Sequence, residues 1–158
     1  MQTNQTRTLP ANINPAWRIG IVHAEWHAEE IKGLIEGARS TLLAAGISAA
    51  NILVHPAAGS FEIPLIGNAL ATEKKVDALI GFGIIVEGET HHAELLAWAV
   101  AQGIMDVQLK HGIPFAFEVL YVQDTEQARA RSHPKDGKGA EAAYAALHSL
   151  AELHRIRS

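Results

Sequence analysis

The chain has no cysteine. A disulfide framework, a thiolate nucleophile and a cysteine-built zinc site are therefore excluded. It also lacks any surplus of positive charge. Lys and Arg number 13 against 17 Asp and Glu, and the net charge of -4 leaves no electrostatic footprint for nucleic acid. No apolar run approaches the roughly 20 residues that a membrane-spanning helix needs. The opening M-Q-T-N-Q-T-R-T-L-P has none of the apolar core that a signal peptide carries. These lacks set the expectation of a cytoplasmic protein. Aromatic residues are scarce at 6%, so an aromatic standing beside polar residues is informative.

What is present is a chain of 158 residues, 48% hydrophobic, enough for one domain with a real core. Residues 1–15 are polar and carry Pro10 and Pro15, which suits an arm. Residues 16–158 read as the domain, with no internal repeat and no low-complexity tract. Strands are expected at 17–22, 51–55, 78–82 and 115–121, each an apolar run of strand length. Helices are expected at 28–45, 62–72, 92–110, 125–131 and 138–156. Pro64 falls in a first turn, where proline is tolerated, and Gly46 and Gly112 stand where helices stop. The alternation of strand and helix predicts a four-stranded parallel sheet covered on both faces, a three-layer α/β/α sandwich. Ligands of such sheets bind at the carboxyl ends of the strands.

The stretch 78–96, A-L-I-G-F-G-I-I-V-E-G-E-T-H-H-A-E-L-L, concentrates the candidate chemistry. An apolar strand passes through Gly81, Gly83 and Gly88 as a glycine-rich turn and ends at a helix beginning near Thr90. Free backbone N–H groups and the helix dipole suit an anion there, and histidine beside it can move protons. Three other motifs fail. His23-Ala-Glu-Trp-His27 has its glutamate one residue late for a zinc-protease helix, Gly81, Gly83 and Gly88 have the wrong spacing for a dinucleotide fingerprint, and no phosphate-binding G-x-x-x-x-G-K-[ST] loop exists.

Several stretches together resemble one family, 6,7-dimethyl-8-ribityllumazine synthase of riboflavin biosynthesis. They are I-G-I-V-x-x-x-W at 19–26, G-S-F-E-I-P at 59–64, G-F-G-I-I-V-E-G-E-T-H-H at 81–92 and G-I-P-F-A-F at 112–117. E-Q-A-R-A-R at 126–131 and K-D-G-K-G-A-E-A-A at 135–143 follow in the same order. The resemblance implies a flavodoxin-like fold and an enzyme that joins 5-amino-6-(D-ribitylamino)uracil to L-3,4-dihydroxy-2-butanone 4-phosphate. Phosphate and water are released, and neither cofactor nor metal is implied. His92 matches the proton-transfer histidine. Trp26 matches an aromatic that stacks on the pyrimidine, Ser60 and Glu62 match ribityl-binding positions, and Phe61 a wall. Ile84, Ile85 and Val86 would line the ring edge. Glu89, Thr90 and Arg131 match phosphate-binding positions, with Lys138 a weaker member because its loop is one residue shorter than is common. Phe117 matches a ring contact supplied by the neighbouring subunit. His91 departs from the family pattern.

The resemblance also implies a homo-oligomer, a pentamer with sites at subunit interfaces, in some members paired as a decamer or assembled as a shell of sixty subunits. The arm would pair with a neighbour's sheet, and Trp26-His27 with I-M-D-V-Q-L at 104–109 look like the decameric branch. From the residues alone, a flavodoxin-like electron carrier or a non-catalytic lumazine or flavin binder stays open as an alternative.

Overall fold

A computed structural model describes residues 7–158 of the chain. Its framework is four strands, β1 (Ile19–Ala24), β2 (Ile52–Ala57), β3 (Ala78–Val86) and β4 (Phe115–Val122). All neighbours pair in parallel, in the order β2-β1-β3-β4. Parallel neighbours cannot be joined by a hairpin, so helices make the crossovers. These are α1 (Ala28–Ala44), α2 (Ile63–Thr72) and α3 (His92–His111), while α4 (Thr125–Arg131) and α5 (Lys138–Arg157) follow β4.

The central strands β1 and β3 are buried almost throughout, whereas the edge strands β2 and β4 alternate between buried and exposed. That contrast follows from position, since only a central parallel strand is covered on both faces. One face packs Ile21, Ile80, Phe82 and Leu120 under α1 and α5. The other packs Val22, Leu79, Ile85, Phe115 and Val119 under α2 and α3. The result is the expected flavodoxin-like three-layer sandwich with a four-stranded parallel sheet. From β1 the chain crosses to β2 on one side and then to β3 on the other. The crevice between the carboxyl ends of β1 and β3 is thus a topological switch point.

The structure departs from the sequence reading at two places. First, β3 runs four residues past Phe82, and Gly81 and Gly83 belong to the strand rather than to a turn. They pair in register with Phe117 and Val119 of β4. They are glycine because the α2–α3 layer presses on them. A Cβ at Gly81 would stand 3.0 Å from Ile63, and one at Gly83 would stand 2.3 Å from the Ser60 hydroxyl. Second, Trp17 precedes β1 instead of opening it. Its N–H closes a turn on the Asn14 carbonyl at 3.1 Å, and its buried ring lies 5.0 Å from that of His154 on α5. The described part of the arm also contacts the domain that follows it. Leu9 and Ile13 pack on the α1–α5 layer, Arg7 pairs with Glu141 at 2.8 Å, and Asn12 donates to the Ala151 carbonyl at 3.2 Å. Residues 1–6 of the arm lie outside the described residues.

Candidate active site

Three chain segments meet above the β1–β3 crevice. The first is the exit of β1, where Trp26 stands 72% exposed and His27 caps α1 with its backbone in the left-handed region (φ 60°). Left-handed backbone is uncommon outside glycine and asparagine and is held by surroundings that leave little choice. Here it turns the chain sharply, so that Trp26 lies across Gly59. A Cβ on Gly59 would meet the indole at 3.7 Å and the Glu62 carboxylate at 3.4 Å. Both are ordinary van der Waals distances, so the indole and the carboxylate stand side by side against Gly59 and share one wall.

The second segment follows β2. A short 3-10 turn, Ser60–Glu62, leads into α2, with the Glu62 N–H closing on the Gly59 carbonyl at 3.2 Å. Ser60 is buried against Gly83, and Phe61 stands 62% exposed, a wall rather than core.

The third segment is the end of β3 and the loop 87–91. α3 begins at His92 itself, with His91 as its cap residue, and not at Thr90. The Thr90 hydroxyl still accepts the His92 N–H at 3.4 Å. At the base of the loop, Tyr121 of β4 donates its hydroxyl to the Glu87 carboxylate. That bond, together with proximity to Glu87 and Glu94, pushes the phenol up to about 12. The Glu87 N–H also donates to the Val122 carbonyl at 2.8 Å, so the loop is tied to β4 twice.

Between these segments lies a cavity of about 290 Å³. It is lined by Trp26, Ser60, Phe61, Glu62, Ile84, Ile85, Val86 and His92. The sequence-predicted pyrimidine and ribityl residues, Phe117 excepted, therefore converge with the candidate proton carrier. His27, Gly59, Ala93 and Leu96 also line it, and none was assigned from sequence. His27 follows the shelf residue directly, but nothing in a string of letters shows that its backbone is left-handed. A wider cleft of about 750 Å³ between α1 and the α4 end holds Glu30, Arg129 and His133 but none of the assigned residues. The smaller cavity is therefore the candidate site.

The remaining assigned residues lie elsewhere. Glu89 and Thr90 are exposed on the loop, outside the cavity lining. His91 points to solvent, its imidazole 3.9 Å from Glu94. Phe117 is 45% exposed on the edge strand. Arg131 is exposed at the end of α4 and donates to its own helix at the Gln127 carbonyl, 3.2 Å away. Arg129 turns the other way and meets Glu30 at 3.4 Å, so the two arginines face apart as helical spacing requires. Lys138 opens α5 and donates to Glu141 at 2.7 Å. One subunit thus carries a cavity holding His92, while Phe117, Arg131 and Lys138 lie outside its lining. Among the described residues no cluster of three or more histidines and carboxylates gathers as a metal-ligand set, and no helix is long and apolar enough to cross a membrane.

Fold and cavity together define the class: a flavodoxin-like α/β/α sandwich with a ligand cleft at its switch point. The family model of 6,7-dimethyl-8-ribityllumazine synthase matches residues 16–154. A 6,7-dimethyl-8-ribityllumazine synthase of Cytophaga hutchinsonii is 45% identical over 134 residues, covering 84% of each chain. One of Porphyromonas gingivalis is 41% identical over 140 residues, covering 88% of this chain and 86% of its own. The chain belongs to the 6,7-dimethyl-8-ribityllumazine synthase family. A solved de novo designed Rossmann-fold protein overlays with a TM-score of 0.37 at 16% identity, covering 72% of this chain and 91% of that one, and this slight likeness carries no weight.

Proposed function

We propose that the chain condenses 5-amino-6-(D-ribitylamino)uracil with L-3,4-dihydroxy-2-butanone 4-phosphate, giving 6,7-dimethyl-8-ribityllumazine, phosphate and water. The observation that carries this reading is the convergence of Trp26, Ser60, Glu62 and His92 on one cavity. A flat pyrimidine needs an aromatic shelf, and the exposed Trp26 indole provides one. The ribityl chain is rich in hydroxyl groups, for which the Ser60 hydroxyl and the Glu62 carboxylate are acceptors. Ile84, Ile85 and Val86 bound the ring edge. The reaction joins an amine to a carbonyl, expels phosphate and closes a ring through a second amine. Each step moves a proton, and His92 stands at the cavity mouth to carry it. Holding both reactants in one geometry supplies much of the remaining acceleration.

The phosphate is held from two sides in this reading. Glu89 and Thr90 offer backbone N–H groups just ahead of α3, where the helix dipole favours an anion. Arg131 and Lys138 supply the charge, with Arg131 able to present a planar fork to the oxyanion. Because Phe117, Arg131 and Lys138 stand outside their own subunit's cavity, they serve a neighbour's. As the family resemblance implies, the assembly is read as a homo-oligomer, a pentamer with each site shared across an interface, with the decamer as its paired form. The test is direct. Purified protein incubated with the two substrates develops lumazine absorbance, whereas a binder without activity takes up lumazine and forms none.

A further inference from the structure

α1 carries Gly33 and Gly37, one turn apart on one face and both buried. Glycine weakens a helix interior relative to alanine, so a pair so placed calls for a reason. The reason is the backbone that lies on them. A Cβ at Gly33 would stand 2.1 Å from the Ser132 carbonyl oxygen, and one at Gly37 would stand 3.0 Å from that of Pro134. The segment leaving α4 therefore rests directly on the backbone of α1. Ser132 is buried there. Its N–H donates to the Ala128 carbonyl at 3.0 Å and its hydroxyl to the Arg129 carbonyl at 3.2 Å, which ties the seated residue to the last turn of α4. A second contact stands beside the first. The buried Glu30 carboxylate, one turn before Gly33, meets the Arg129 guanidinium at 3.4 Å. Arg131 lies between these two anchors, Arg129 and Ser132. It is exposed and donates to its own helix at the Gln127 carbonyl, so its place is set by the backbone beneath it.

We infer that Gly33 is a positioning residue for the proposed condensation: it sets how closely the end of α4 sits on α1, and so the point from which Arg131 reaches the phosphate of the substrate. A methyl group at position 33 would force the Ser132 carbonyl outward by about 1 Å to restore an ordinary contact. Arg131, the preceding residue, moves with it. The inference rests on the reading of Arg131 as a phosphate-binding residue.

The test is a double-mutant cycle on Gly33→Ala and Arg131→Ala, read as KM for each substrate. Gly33→Ala is expected to raise KM for the phosphate-bearing substrate about tenfold, a moderate effect for a group displaced by about 1 Å. The pyrimidine KM stays within about twofold of wild type. In the Arg131→Ala background, Gly33→Ala changes the KM for the phosphate-bearing substrate by less than about twofold, because the displaced group is gone. Additive effects overturn the inference. So does an equal rise in both KM values, the mark of a generally loosened α1. If Arg131→Ala by itself leaves the KM for the phosphate-bearing substrate unchanged, the reading of Arg131 falls and takes the inference with it. If Arg131→Ala raises that KM and Gly33→Ala does not, the inference alone falls. Thermal melts establish that the variants are folded. Should Gly33→Ala not fold, Gly37→Ala takes its place in the cycle, since there the Pro134 carbonyl need give by only a few tenths of an ångström. A rise of about threefold that vanishes without Arg131 is then expected, and no rise overturns the inference. Calorimetric binding of inorganic phosphate repeats the cycle without turnover, with the same outcomes deciding it.

Discussion

At the scale of single residues, the proposed chemistry depends on His92, exposed at the first position of α3 and lining the cavity with Trp26. His92→Ala is expected to lower kcat about 100-fold, the usual contribution of one positioned proton carrier. The KM for the pyrimidine changes much less, because shelf and ribityl contacts remain; steady-state kinetics separates the two. Glu118 gives a second prediction, of stability. Burial holds its carboxyl near 7 in the fold against about 4.5 for a free glutamate. A raised carboxyl contributes stability that is fully present below the unfolded value and is lost as pH rises through the folded one. Urea unfolding should therefore show wild type losing stability relative to Glu118→Gln between about pH 4.5 and 7, by up to about 3 kcal/mol. Trp26, Ser60, Glu62 and His92 were legible because short contiguous motifs carry them. His27 was not, since left-handed backbone at a histidine leaves no mark on composition or spacing. Arg131 and Lys138 are assigned by resemblance alone, and no sequence pattern says that they stand apart from the cavity of their own subunit.

At the scale of elements, the helices were the easier part. The bounds of α4 match the expectation at both ends, where the Asp124 carboxylate accepts the Gln127 N–H at 2.8 Å and caps the first turn. β3 was the harder part. Glycine reads locally as a turn residue, yet Gly81 and Gly83 are strand residues that make room for a neighbouring layer, a tertiary fact that local reading cannot contain. The packing at Gly83 also seats Ser60. Gly83→Val would drive a methyl-bearing carbon into the Ser60 hydroxyl, now 2.3 Å from where a Cβ would sit. Chemical denaturation should show a loss of about 1–3 kcal/mol, the usual cost of overpacking. Binding of the ribityl-bearing substrate weakens with it, because the 3-10 turn carrying Ser60 and Glu62 must move.

At the scale of the whole molecule, α3 leaves much of its apolar surface uncovered. Leu95, Trp98, Met105 and Leu109 are exposed, with Leu95, Trp98 and Leu109 each about 70% so. Their spacing of three, seven and four residues keeps them on one stripe, the pattern of a helix that packs against other helices. A monomer in water does not leave such a row bare without cost, which supports the proposed oligomer. Trp98→Glu puts charge into that stripe. Sedimentation of the variant is expected to show smaller species than wild type, and activity falls with assembly if, as proposed, each site draws on two subunits. The sandwich itself was legible from the order of strands and helices. The assembly was legible only through family resemblance, because a pattern of exposed residues exists only once the helix has been docked on its sheet.

On a single chain His92 lines the cavity and Arg131 does not. Two variants, His92→Ala and Arg131→Ala, each spoil every site they form alone, but they spoil opposite halves. When the two are unfolded together in equal amounts and refolded, mixed rings arise. About one junction in four then joins an unaltered cavity to an unaltered edge, if copies enter the rings at random. Turnover near a quarter of wild type should reappear from two preparations that are each nearly inert. A mixture no more active than its components would mean that each copy works by itself.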